Sequence, residues 1–175
     1  QCSRKFKNDE RCKTPHLYED DVKAAFVRTM NGMIEDKDDL IADYKQIIRQ
    51  LTDHAALDLE AKQQTEEADI AAELIRKCVA ENAATPQDQE AYLERYQGLK
   101  ARYEAATQRL NQIEDQRKER KQRRQKMLEF IRMLEKTEGL LTEFDEGLWN
   151  TTVEKVTINV DGRMNFRWKN GMEAV

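Results

Sequence analysis

The stretch 87–137 reads QDQEAYLERYQGLKARYEAATQRLNQIEDQRKERKQRRQKMLEFIRMLEKT, with no proline and a single glycine, Gly98. Within it Tyr96, Leu99, Tyr103, Ala106, Leu110, Ile113, Arg117, Arg120, Arg124, Met127, Ile131 and Leu134 follow one another at alternating steps of three and four. That spacing holds one stripe of an α-helix on one side, as the a/d seam of a coiled coil does. A helix of roughly fifty residues is on the order of 75 Å long at 1.5 Å per residue. No compact core covers so long a stripe, so a second long helix must lie beside it. The chain supplies one immediately upstream.

Between the two lies Asn82-Ala83-Ala84-Thr85-Pro86-Gln87-Asp88. Thr85 suits an N-cap, Pro86 the first helical position, and Asp88 the capping-box position. One helix therefore ends near Asn82 and another begins at Pro86, and so short a connection makes them antiparallel neighbours. The tip is expected at 81–88. The segment 79–89 around it is poor in Lys and Arg, and its Val79, Ala83, Ala84, Thr85 and Pro86 suit contact with another protein surface. Pairing about Ala84 sets Leu110 against Leu59, Leu99 against Ile70 and Tyr96 near Leu74. It also brings Arg117 and Arg120 toward Asp53 and Gln50.

The upstream helix is expected over 35–82, with Leu40, Tyr44, Ile47, Ile48, Leu51 and Ala55 as a clear stripe that thins to Leu59, Ile70, Leu74 and Cys78. Before it, 18–33 reads as a first helix with acidic residues 19–21 at its positive end and Val22, Phe26, Met30 and Met33 as its apolar face. Asn31-Gly32 marks a kink or break. The basic run Arg117, Lys118, Arg120, Lys121, Arg123, Arg124 and Lys126 admits two readings. It is either a solvated face whose arginines reach across to Asp53 and Asp43, or a patch for nucleic-acid phosphates.

Beyond Gly139 the pattern changes. A short helix over 145–152 presents Leu148, Trp149 and Val153 inward. Then Val156, Ile158 and Val160 alternate with polar residues, as do Met164, Phe166 and Trp168, with Asp161-Gly162 between them. A two-residue loop would mix the faces. A three-residue loop ending in a left-handed Gly162 pairs Ile158 with Met164 and Val156 with Phe166, and is the expected turn. The apolar face should pack on Trp149 and the first helix, leaving Arg163, Arg167 and Lys169 on the other.

Composition agrees with long helices. Charged residues make up 37% of the 175, against about 25% in ordinary domains, with Gly 6 and Pro 2. Mean hydropathy is -0.92. The net charge of -4 gives no global attraction for nucleic acid, so any basic surface is local. No apolar run is long enough to span a bilayer. Three cysteines without a paired framework suit a reducing setting. The first residue is glutamine and Cys2 follows it, which suggests a piece of something longer.

Cys2 and Cys12, with His16 nearby, are at best half of a tetrahedral zinc set, and the alternative is ordinary surface cysteines. No nucleophile stands with a base, no glycine-rich phosphate loop is present, and His16 and His54 have no motif around them. A catalytic site within this chain is not expected. The fold expected is mainly α: a long antiparallel coiled-coil hairpin over 35–138, inserted in a small α/β base of 1–34 and 139–175 with a C-terminal β-hairpin.

The two ends carry a resemblance. Cys2 to Cys12, followed by Glu19 and a helix, is similar to the second half of the zinc ribbon of large serine recombinases. Phe144-Asp145-Glu146-Gly147-Leu148-Trp149, Val153-Glu154-Lys155-Val156, Asp161-Gly162 and Phe166-Arg167-Trp168-Lys169-Asn170-Gly171 resemble that family's closing segment. Members of that kind also carry a long antiparallel coiled coil between the two halves. The resemblance implies a non-catalytic C-terminal part of a site-specific DNA recombinase, whose serine nucleophile lies in a catalytic domain upstream. It implies zinc held by Cys2 and Cys12 with two ligands from an upstream Cys-x-x-Cys knuckle, a partial zinc ribbon here. It implies double-stranded DNA as a partner of the base, with Arg4, Lys5, Lys7, Arg163, Arg167 and Lys169 as contact candidates. Other recombinase subunits would be partners of the arm, in synapsis and the choice between integration and excision. The setting implied is the cytoplasm of a bacterial or phage-type host. The rival is a structural or adaptor coiled coil with no role on DNA.

Overall fold

The computed structural model describes residues 14–85 and 88–174. Among the described residues the chain is mainly helical, with four long helices, one short one and a small antiparallel sheet of three strands. The helices are α1 Glu19–Glu35, α2 Lys37–Thr52, α3 Ala55–Ala84, α4 Gln89–Lys136 and α5 Glu146–Thr152. The strands are β1 Val153–Ile158, β2 Met164–Trp168 and β3 Glu173–Ala174, in the order β1-β2-β3. Two compact units result. One comprises Gln1–Ile48 with Arg123–Val175, and the other Arg49–Gln122.

In the first unit α1 begins at Tyr18, whose N–H donates to Asp21 Oδ2 at 3.0 Å. The acidic first turn faces the positive helix end. Phe26, Met30 and Met33 are buried, as the apolar spacing requires. The helix runs through Asn31-Gly32 without the expected break and ends at Asp36. Asn31 instead ties α1 to a distant segment. Its Nδ2 donates to the Leu141 carbonyl at 3.0 Å, and its Oδ1 accepts from the Leu141 N–H at 2.7 Å. This amide clamp satisfies a stretch of chain beyond α4 that has no ladder of its own. Phe26 is the centre of the unit, with ring centroids 5.6 Å from Phe144, 5.3 Å from Trp149, 6.4 Å from Phe166 and 6.0 Å from Trp168.

The sheet has the expected register. Val156 pairs with Phe166 and Ile158 with Met164. The Gly162 N–H donates to the Asn159 carbonyl at 3.1 Å, and Gly162 is left-handed at φ 86. A second turn was not anticipated. The Gly171 N–H donates to the Trp168 carbonyl at 2.8 Å with Gly171 at φ 90, and this brings β3 back along β2.

The second unit is built from α3 and the first two-thirds of α4. The two lie antiparallel, as the cross-helix pairs Arg102–Glu67 and Arg109–Glu60 require. On α4 Leu99, Ala106 and Ile113 are buried, on the expected stripe. On α3 the buried positions are Leu57, Ala68, Ala71 and Cys78, with Ala61, Gln64, Ile75 and Asn82 half-buried between them. This again steps by three and four; of the stripe read from the sequence it keeps Cys78, with Leu74 half-buried beside it. Leu59 and Ile70 are 60% and 52% exposed, so neither is set against Leu110 or Leu99. Alanines, Gln64, Cys78 and Asn82 share the α3 seam with Leu57 and Ile75, while Leu59 and Ile70 stand outside it.

The upstream helix is also not continuous. The Asp53 N–H donates to the Gln50 carbonyl, and Asp53 Oδ1 accepts from the Ala55 N–H at 3.1 Å. Such a local bond offers the backbone an alternative to the helix and separates α2 from α3. At the far end Thr85 caps the C-terminus of α3 rather than the N-terminus of α4. Asp88 Oδ1 accepts from the Glu90 N–H at 2.9 Å and so starts α4.

Candidate nucleic-acid interface

β2 alternates buried Phe166 and Trp168 with Arg167, and the pleat continues this to Arg163 and Lys169 at its two ends. These three cations lie on the exposed face, where Lys155 pairs with Arg167 across the ladder. Each of the three is engaged within the molecule. Arg167 donates from Nε to Glu173 Oε1 at 2.9 Å and from Nη2 to the same oxygen at 2.7 Å. The hydrogen bonds and charge of Glu173 raise the pKa of Arg167 above its already high value. Arg163 Nε lies 3.2 Å from Asp161 Oδ2, while its N–H donates to Asp161 Oδ1 at 3.0 Å. Lys169 Nζ donates to the Asn150 carbonyl at 2.5 Å.

The position of Glu173 is set by the second turn. Asn170 is buried, donates from Nδ2 to the Tyr44 hydroxyl at 2.9 Å, and accepts the Met172 N–H on Oδ1 at 2.9 Å. Tyr44 in turn donates to Met172 Sδ at 3.3 Å. Burial pushes the Tyr44 hydroxyl up to about 12 against the opposing Asn170 bond, so it stays protonated and keeps this donor role at neutral pH. A buried polar network thus holds a two-residue strand whose carboxylate neutralises Arg167. β3 is too short to show a periodicity, so the partner of Arg167 had no signal in the sequence.

One cation of this unit was missed: Arg28, on the exposed side of α1. It lines a cleft with Arg163 and Gly162. Its signal was available, since it lies two residues beyond Phe26 and therefore off the apolar face.

The remaining candidates divide by place. Arg4, Lys5, Lys7, Cys2, Cys12 and Pro86 lie outside the described residues. Among the described residues no group of three His, Cys, Asp or Glu side chains converges as a metal site, so these residues offer no zinc set. His16 is exposed, with its ring 5.3 Å from Tyr18. Cys78 is buried on the α3 seam. At the helix ends Val79 is 45% exposed, and Ala83, Ala84 and Thr85 are exposed. In the basic run Arg117 bridges to Asp58 and Glu114 rather than Asp53, and Arg120 Nη1 donates to the Asp53 carbonyl at 2.9 Å. The solvated-face reading took these arginines to Asp53 and Asp43, whereas Arg117 finds Asp58 and Glu114 and Arg120 the Asp53 carbonyl.

Compared with family models, curated proteins and solved structures, the chain matches none. Among the described residues no helix is long and apolar enough to cross a membrane.

Proposed function

We propose that this chain is the non-catalytic C-terminal part of a large serine recombinase. In this reading the first unit binds attachment-site DNA, and α3 with α4 is an antiparallel coiled-coil arm that contacts other recombinase subunits. One observation carries the reading: among the described residues, those up to Ile48 and those from Arg123 onward share one unit, while the middle forms a helical unit of its own. An arm inserted between two halves of a base needs that topology, and a simple helical rod does not. The steps of three and four among the buried positions of both helices support the coiled coil. Arg102 and Arg109, seven residues apart, pair with Glu67 and Glu60, also seven apart, as flanking positions of such a coil do. The reading retains zinc in the parent protein, with Cys2 and Cys12 as two ligands.

The test is duplex binding by the full-length protein over a salt series. Arg163→Ala with Arg167→Ala should weaken binding and lower the salt slope by about one for each phosphate no longer neutralised. Glu173→Gln should do the reverse, because it releases Arg167 from its carboxylate. Unchanged affinity and slope in both variants would remove the DNA role. The adaptor coiled coil would then take its place, a reading favoured by the internal partners of Arg163, Arg167 and Lys169.

A further inference from the structure

We infer that the cleft between α1 and the β1–β2 turn seats a phosphate ester, with Arg28 and Arg163 supplying the charge. The cleft measures about 330 Å³, and Arg28, Thr29, Gly162, Arg163, Met164 and Phe166 line it. The two guanidiniums come from different elements, one from the exposed side of α1 and one from the first residue after the turn. The left-handed Gly162 ends that turn, and the 3.0 Å bond from the Arg163 N–H to Asp161 Oδ1 fixes where Arg163 leaves it.

The free charge comes from Arg28: among the described residues no carboxylate lies within ion-pair distance of it, whereas Arg163 is paired with Asp161 of its own turn at 3.2 Å and would exchange that carboxylate for the phosphate. The other polar groups cannot compete as donors. The Thr29 hydroxyl donates to the Ala25 carbonyl at 2.9 Å, and the Gly162 N–H is spent on Asn159. Met164 and Phe166 add apolar lining beside the two arginines. Guanidinium forks match phosphate oxygens in a way an ammonium does not.

The duplex as the source of that ester rests on the proposed function, so two probes are used on the whole chain: duplex DNA over a salt series and pyrophosphate by calorimetry. Arg28→Ala should weaken duplex binding about five-fold, independently of sequence, lower the salt slope by about one and abolish pyrophosphate binding. Arg28→Lys should restore the slope, and Lys62→Ala, which removes an exposed charge from the other unit, should leave it alone. Duplex binding that Arg28→Ala leaves untouched would overturn the seat and leave the DNA reading standing. Pyrophosphate binding that depends on Arg28, without any duplex binding, would keep the seat and remove the DNA reading. Binding of neither probe would remove both. Arg28 is exposed on its helix, so an unchanged thermal midpoint should accompany the weakened binding.

Discussion

Gly162 shows how one residue fixes the ribbon that presents Arg163 and Arg167. Its φ of 86 lies where a side chain crowds the following carbonyl, at a cost of about 1–2 kcal/mol for an L-residue. Space does not add to that cost, because a Cβ there would meet only Pro15 Cγ at 3.5 Å, an ordinary contact. Gly162→Ala should therefore destabilise the first unit by about 1–2 kcal/mol, and Gly162→Asn by less, since asparagine tolerates the left-handed region. Urea unfolding followed by tryptophan fluorescence measures both. Equal stabilities for the three proteins would mean that the turn relaxes to another conformation and that its register is not held by the glycine. The same glycine was legible in the sequence because parity left no alternative. Only a three-residue loop puts Val156, Ile158, Met164 and Phe166 on one face. Arg28 and Glu173 were harder to read, since neither belongs to a repeating pattern, and their meaning comes from neighbours distant in the chain.

At the scale of elements, the helix pair is held by its seam and by a ladder of charges along one flank. Arg109 lies 2.6 Å from Glu60, with both side chains about one-third exposed (36% and 34%). The hydrogen bond from Arg109, aided by its charge and opposed by burial, holds the Glu60 carboxyl below the usual carboxylate range. A carboxyl depressed in the folded state stabilises fully above its unfolded pKa and loses that contribution as pH falls through the folded value. The stability difference between wild type and Glu60→Gln should accordingly be present at pH 7 and vanish on acidification below the carboxylate range. It should also shrink in high salt, because the pair is partly screened. Thermal midpoints by far-UV circular dichroism at several pH values read this, and a gap that persists in acid would show that Glu60 acts by packing. The α4 stripe was legible where Leu99, Ala106, Ile113, Met127, Ile131 and Leu134 are buried, but Tyr103 on the same stripe is 40% exposed and its middle is Arg117, Arg120 and Arg124. The α3 stripe was not legible, because Ala61, Gln64, Ala68 and Ala71 occupy it while Leu59 and Ile70 face water. Large aliphatics are split between the seam, with Leu57 and Ile75, and the exposed side, with Leu59 and Ile70, so a periodicity weighted by size does not single out one face. The break at Asp53 was hidden for a related reason, since a single aspartate bonding to the Ala55 N–H leaves the spacing on either side intact.

At the scale of the whole molecule, the division into two units makes a claim about cooperativity. Trp149 and Trp168 both belong to the first unit and lie against Phe26 and Phe166, and residues 49–122 contain no tryptophan. Tryptophan fluorescence therefore reports the first unit alone, whereas far-UV circular dichroism sums the helices of both. Ile113 is 1% exposed and belongs to the second unit. Truncating a buried isoleucine to alanine costs about 2–5 kcal/mol, from forfeited transfer free energy and the cavity left behind. If the units melt separately, Ile113→Ala lowers the midpoint of one helical transition and leaves the fluorescence midpoint in place. Phe26→Ala, at the centre of the first unit, does the opposite. Two helices argue against independence, since α2 crosses from one unit to the other after Ile48 and α4 runs as a single helix from Gln89 to Lys136 through both. A helix transmits order along its length only as far as each residue's next hydrogen bond remains favourable. The charged, weakly apolar run of α4 from Lys118 to Arg123 is where that propagation is least supported by burial. Coincident shifts of both probes in Ile113→Ala would show that this run holds nonetheless and that the chain unfolds as one cooperative unit.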